Sequence, residues 1–261
     1  MNKTDINTEE YNAIFTEKDK ICRDFQISKF NVRKIIPAVN MQVDVCVDRL
    51  LSKREKMNQY GKVHLSIYSF LLKEIADVLV QYPLLFSLFY KKKIIFNKTL
   101  IINVPVSVDN HVEYVCIQNP EKKNYEEIAI ELQNGITAIK RNENLLMNAL
   151  TAINRLNKIG ALCYKIRNFK NPVYFLEKYY GYFPVTNFGT FNAVRGTIIL
   201  SEPVVAGLLI GAMFQRTTAD KEHLVNEKII TISLSFDHRV MDGAYAGHFL
   251  NDLKNKIETL G

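Results

Sequence analysis

"LSFDHRVMDGAYAGHFLNDLKNKIE", residues 234–258, changes its period halfway along. The segment that leads into it, "EKIITISLSF" (227–236), is rich in β-branched residues and reads as a buried strand. After Gly243, the residues Tyr245, Phe249, Leu250, Leu253 and Ile257 recur on one helical face. A turn must join the two. Asp242-Gly243 supplies it, and an aspartate there is a favoured helix N-cap. His238 sits at the strand end. It reads either as a satisfied polar residue or as a base, because histidine titrates near neutral pH and a strand end aims the ring rigidly. No serine or cysteine stands in a G-x-S-x-G elbow. A basic His238 would therefore activate a group on the substrate.

Outward from this stretch, strands and helices mix without strict alternation. "NMQVDVCVD" (40–48) alternates as a half-buried strand, and "RLLSKREKM" continues as a helix that Gly61 breaks. "HLSIYSFLLKEIADVLVQY" (64–82) has helical spacing up to Pro83. "KKIIFNKTLIINVPVSV" and "HVEYVCIQ" read as strands about a turn at Asp109-Asn110, with His111 as a surface turn residue. "NYEEIAIELQNGITAIKRN" (124–142) is amphipathic. "RGTIILS" and "VVAGLLIGAMFQ" read as buried strands, and the aromatics of "YFLEKYYGYF" as core or interface. The fold class this implies is α/β: a large mixed or mostly antiparallel sheet with helices packed on it.

Composition narrows the function. The chain has 261 residues, 48% hydrophobic and 23% charged, and no linker divides it, so one large domain is expected after a polar leader over residues 1–20. Net charge is +7, but Lys91-Lys92-Lys93 is too short a run, without finger or aromatic motifs, for nucleic-acid binding. A phosphate-bearing small ligand remains compatible. Cys22, Cys46, Cys116 and Cys163 form no C-x-x-C pair, which argues against a metal site and for a reducing compartment. "GTIILSEPVVAGLLIGAMF" contains Glu202 and Pro203, so a membrane span is not expected. The N-terminus has no apolar signal region, and the cytoplasm is the expected location.

The quoted stretch closely resembles the active-site segment of the dihydrolipoyl acyltransferases, the catalytic cores of 2-oxo acid dehydrogenase complexes, which share D-H-R-x-x-D-G with the H-H-x-x-x-D-G of chloramphenicol acetyltransferase. "PVTNFGTF", "ILSEPVVAGLLIGAMFQR", "IIPAVNMQVDVCVDRLLSKRE" and "EEIAIELQNGITAIKRNENL" resemble further family segments in order. The resemblance implies the coenzyme A-dependent acyltransferase fold. It implies His238 as the base that deprotonates an acceptor thiol, Thr186 as the hydroxyl donor to a tetrahedral oxyanion, and Asp242 as support for the loop. One such donor is worth about 3 kcal/mol of barrier. Asn187, Gly189, Ser235 and Gly243 are the implied substrate-binding positions. In the family the histidine and hydroxyl come from neighbouring subunits about a threefold axis, so a homotrimer is implied.

The departures from the family are also informative. No segment matches a lipoyl domain, so coenzyme A or acyl-coenzyme A would be substrate, with a separate lipoyl or acyl carrier as partner. The chain ends soon after the last helix, which favours an isolated trimer. Arg33 stands too close to Pro37 to match the family's arginine in register as a partner of Asp242. "VSVDNHVEYVCIQ" replaces a glycine-leucine strand, and residues 142–180 form a longer link than the family's. The leading expectation is a free-standing acyltransferase working between thiols. The alternatives are O-acetylation of a small hydroxyl acceptor, as in chloramphenicol acetyltransferase, and a catalytically silent trimeric scaffold.

Overall fold

The computed structural model describes residues 16–29, 36–155, 172–220 and 223–260. In chain order the elements are α1 (Glu17–Lys29), β1 (Ala38–Cys46), α2 (Asp48–Tyr60), α3 (Ile67–Leu79), β2 (Leu88–Tyr90), β3 (Lys93–Ile95), β4 (Ile101–Val108), β5 (His111–Gln118), α4 (Tyr125–Lys140) and α5 (Leu145–Arg155). They continue with α6 (Pro172–Phe175), which runs into a π turn, then β6 (Phe183–Asn187), β7 (Ala206–Ile210), β8 (Phe214–Asp220), β9 (His223–Asp237) and α7 (Gly243–Glu258). The seven-stranded sheet has the order β1-β9-β7-β6-β4-β5, with β8 on the outer half of β9. β6 lies parallel to both β4 and β7, and the other pairings are antiparallel. The sheet is therefore mixed, as the irregular alternation of elements implies.

Pairing register sorts the side chains into two faces. Val39–Phe236, Met41–Leu234, Val43–Ile232 and Val45–Ile230 share one face. There α7 packs, with Phe249, Leu250, Leu253 and Ile257 buried in the same core and Gly247 beside the tip of Met41. Burying such side chains stabilises by about 1.5–3 kcal/mol each. The Asp242 cap on the same helix is worth about 1 kcal/mol. Burial thus decides that α7 forms, and the cap decides where it begins. Other starts are also capped: Ser66 accepts from the backbone N–H of Ser69, and Asn124 with Glu127 closes a capping box.

The opposite face pairs Asn40–Ser235, Gln42–Ser233 and Asp44–Thr231 and is polar. Residues 193–201 lie across it. The backbone N–H of Ile198 donates to Ser235 Oγ at 3.1 Å, Gln42 Nε2 donates to the Gly196 carbonyl, and Arg195 pairs with Asp44. The strand expected at "RGTIILS" is therefore not one. Its backbone bonds to side chains rather than to a strand partner, and Ile199 is 77% exposed.

Two further expectations change. The leader anticipated over residues 1–20 gives way to α1 at Glu17, where Asp19 is buried at 2% exposure. His111 is no surface turn residue. Its ring is buried, with Nδ1 2.6 Å from Asp19 and Nε2 3.0 Å from Glu113, and Lys18 reaches Glu113 at 2.5 Å. Carboxylates 92 residues apart in one case and two in the other thus meet on one imidazole, which pins α1 to β5. Of the long link, residues 145–155 form α5 against α1, residues 156–171 lie outside those described, and Leu176, Tyr179 and Tyr180 are core. Among the described residues no helix is long and apolar enough to cross a membrane.

Burial by itself would raise the Asp19 carboxyl, but hydrogen bonds from Thr16 and His111 and the charge of His111 outweigh it and hold the group below its ordinary value. Its contribution to stability is thus complete above the ordinary carboxylate range and is lost as pH falls through the lowered value. We expect limited proteolysis to release α1 on that acid side, and Asp19→Asn to abolish the dependence. His111→Ala leaves buried carboxylates facing one another and should cost about 3–5 kcal/mol by denaturant unfolding.

Candidate active site

The His238 turn is wound around Asp237. The Asp237 backbone N–H donates to the Val205 carbonyl, His238 N–H to the Pro37 carbonyl at 3.0 Å, and Val240 N–H to the Asp237 carbonyl. The Asp237 carboxylate, 1% exposed, accepts from the Arg239 backbone N–H at 2.9 Å and from its guanidinium at 2.6–3.1 Å. That guanidinium lies 4.5 Å from the Phe89 ring centroid and reaches Glu202 at 3.3 Å. Hydrogen bonds to Asp237 raise the Arg239 pKa further, so the arginine stays charged. Both peptide planes beside His238 are thereby held. The imidazole is exposed, and among the described residues neither ring nitrogen has a hydrogen-bond partner. Asp242 caps α7 by accepting from Tyr245 N–H at 3.1 Å, and Gly243 beside it stands in open space. Arg33 lies outside the described residues.

Thr186 occupies a different place. It sits near the end of β6, whose backbone is braced from α3: Tyr68 Oη donates to the Val185 carbonyl at 2.7 Å, and burial pushes that phenol's pKa up. Its side chain faces a 320 Å³ cleft walled by Pro105, Tyr114, Tyr180, Ile198, Ile199 and Val204, among others. The Thr186 hydroxyl has no hydrogen-bond partner among the described residues. Beyond it, Asn187 Oδ1 accepts from Gly189 N–H at 2.9 Å, which turns the chain out of the sheet. Gly211 opposes this turn. A Cβ there would meet the Val194 carbonyl at 1.9 Å, so only glycine lets residues 193–201 close the cleft. Ser235 lies beneath that wall, fully buried, donating to Asn40 Oδ1 and accepting from Ile198.

Within one copy the two halves do not meet. Thr186 is in register with Leu209, and Leu209 with Ser233. His238 lies five residues further, past the opposite ends of β6 and β7. Two strand spacings sideways and five residues along give a separation of about 19 Å. The structure thus groups Asn187 and Gly189 with Thr186, and Gly243 and Asp242 with His238, while Ser235 belongs to the scaffold between. Sequence reading gave no site role to Asp237, Arg239 or Glu202. The available signal was an aspartate two residues before an arginine at a strand end, where side chain and backbone reach one carboxylate. Among the described residues no three His, Cys, Asp or Glu side chains cluster as metal ligands.

The fold is that of dihydrolipoamide acyltransferase catalytic cores. A structure described as a probable dihydrolipoamide acetyltransferase from Listeria monocytogenes superposes with TM-score 0.71 and 21% identity, over 100% of this chain and 96% of that one. The cubic core of a pyruvate dehydrogenase multienzyme complex superposes with TM-score 0.75 and 17% identity, over 100% and 97%. The family model for 2-oxoacid dehydrogenases acyltransferase (catalytic domain) matches residues 25–152 and 176–261, and the chain belongs to that family. Among curated relatives, the dihydrolipoyllysine-residue succinyltransferase component of the 2-oxoglutarate dehydrogenase complex of Bacillus subtilis is 29% identical over 83% of this chain and 46% of its own length. The dihydrolipoyllysine-residue acetyltransferase component of the pyruvate dehydrogenase complex of Rickettsia prowazekii is 24% identical over 97% and 55%. The chain thus spans about half the length of these curated relatives.

Ser235→Ala discriminates scaffold from substrate contact. It removes two hydrogen bonds, leaving the Ile198 N–H and Asn40 Oδ1 without that partner, and we expect a loss of about 1–3 kcal/mol in denaturant unfolding. Unchanged stability with weakened substrate binding would return Ser235 to the substrate.

Proposed function

We propose that the protein moves a short acyl group between coenzyme A and a dihydrolipoyl-type thiol, in a site that one copy's His238 and a neighbour's Thr186 complete together. The observation that carries this reading is a pair of unbonded groups on fixed supports, an exposed imidazole and a cleft hydroxyl, in a chain of this family. His238 accepts the proton of the acceptor thiol. The thiolate attacks the thioester carbonyl, forming a C–S bond and a tetrahedral oxyanion that Thr186 stabilises by donating its hydroxyl hydrogen. As the oxyanion collapses, the original C–S bond breaks and the imidazolium returns the proton to the leaving thiolate. An apolar cleft strengthens the Thr186 bond by excluding water.

The in-chain separation of about 19 Å supports the homotrimer reading, since a neighbouring copy would have to bridge it. Ile199, on the cleft wall and 77% exposed, and Phe191, 66% exposed, are apolar surface that such a neighbour would cover. The second substrate arrives on a separate lipoyl or acyl carrier, or as free coenzyme A. Acetyl and succinyl are the acyl groups named among the relatives. Among the described residues the cleft lining holds no lysine, arginine or histidine, which favours an uncharged acyl group such as acetyl.

With acetyl-coenzyme A and dihydrolipoamide, we expect His238→Ala to lower turnover by about 10²–10⁴-fold. Thr186→Ala should lower it by about 10²-fold. Mixed trimers of the two inactive variants should regain activity, because some interfaces then carry both native residues. Gel filtration should give three times the 30.1 kDa chain mass. A fully active monomer would overturn the shared site. Acetyl-coenzyme A should be turned over faster than succinyl-coenzyme A, and the reverse order would remove the argument from the uncharged cleft.

A further inference from the structure

The geometry points to Asp237 and Arg239 as the positioning pair that aims His238, an inference that rests on the general-base reading above. His238 has no side-chain hydrogen bond among the described residues, so its direction is inherited from its backbone. Three contacts set that backbone: His238 N–H on Pro37, Arg239 N–H on the Asp237 carboxylate, and Val240 N–H on the Asp237 carbonyl. Two of the three run through Asp237. The Asp237 carboxylate is 1% exposed, and an unpaired carboxylate is costly to bury; the Arg239 guanidinium supplies the pairing through Nε and a terminal nitrogen.

Arg239 is itself held from outside the turn. Phe89 of β2 lies under the guanidinium, and Glu202 of the β6–β7 connection accepts from both terminal nitrogens. β2 is in turn fixed to that connection, as Phe89 N–H donates to the Pro203 carbonyl at 2.8 Å and Leu88 bridges Val204. The catalytic turn is therefore clamped to two separate parts of the chain by one planar cation. A lysine has no planar fork and could not reproduce this geometry.

The test compares Arg239→Met, Arg239→Lys and Glu202→Gln with the native protein in acetyl transfer from acetyl-coenzyme A to dihydrolipoamide. Misaiming the base by about 1 Å should lower kcat by about 100-fold in Arg239→Met with KM within about twofold. Arg239→Lys should recover part of that loss, and Glu202→Gln should lose a few-fold. Placed in a His238→Ala background, Arg239→Met should have no further effect on the residual rate. An equal loss in that background, or a rise in KM with kcat unchanged, would show Arg239 acting on substrate and overturn the proposal. So would native kcat in Arg239→Met. Should Arg239→Met not fold, native kcat in both Arg239→Lys and Glu202→Gln overturns it equally. The underlying reading fails separately: His238→Ala would then be as active as the native protein.

Discussion

The structure is organised around β9. Its outer half, from His223 to Ile229, carries β8; its inner half pairs with β1 from Ile229 to Asp237 and with β7 from Ile232 to Phe236. A strand paired on both sides has its backbone donors and acceptors spent in the sheet, so the point where it stops is mechanically defined. That point is Asp237. The next four residues leave the sheet only because Pro37, Val205 and Asp237 itself accept their N–H groups or hold their start. A histidine on this turn has a rigid mount and an open ring.

The same strand forces a division of labour. Antiparallel pairing of β7 with β9, and parallel pairing of β6 with β7, sends β9 toward its histidine end while β6 runs toward its threonine end. No change of rotamer closes a gap of about 19 Å. The polar face of β1 and β9 also has a structural use. Asn40, Gln42, Asp44 and Ser235 hold residues 193–201 over the sheet through side chains, and that suspended segment is the wall of the Thr186 cleft.

Much of this was legible from residue patterns where one physical rule acted alone. The apolar stripe of α7, the Asp242 cap, the alternation of β1 and the Asp109-Asn110 hairpin each follow from local period or turn chemistry, and each is observed. The readings that changed depend on partners far along the chain. "RGTIILS" has strand composition, yet its polar neighbours on β1 and β9 offer side chains in place of a backbone edge. His111 sits beside a turn, yet Asp19 arrives from 92 residues away to bury it. At the site, His238 and Thr186 stood out through the family resemblance. Arg239 did not, because its partners Phe89 and Glu202 are distant in sequence.

On the proposed reading, the separation of base and oxyanion donor also dictates the form of assembly. The histidine end and the threonine end are different surfaces, so joining them across copies is a head-to-tail contact. Such a contact repeated through a closing rotation makes a ring with one identical site per interface. The apolar residues exposed beside the cleft then change their meaning. Ile199 costs the isolated chain solubility, but in the ring it lies where a neighbour's turn must approach Thr186. Folding of one chain builds two rigid half-sites, and only association turns them into one site. Catalysis thereby becomes a property of the assembled ring rather than of the folded chain.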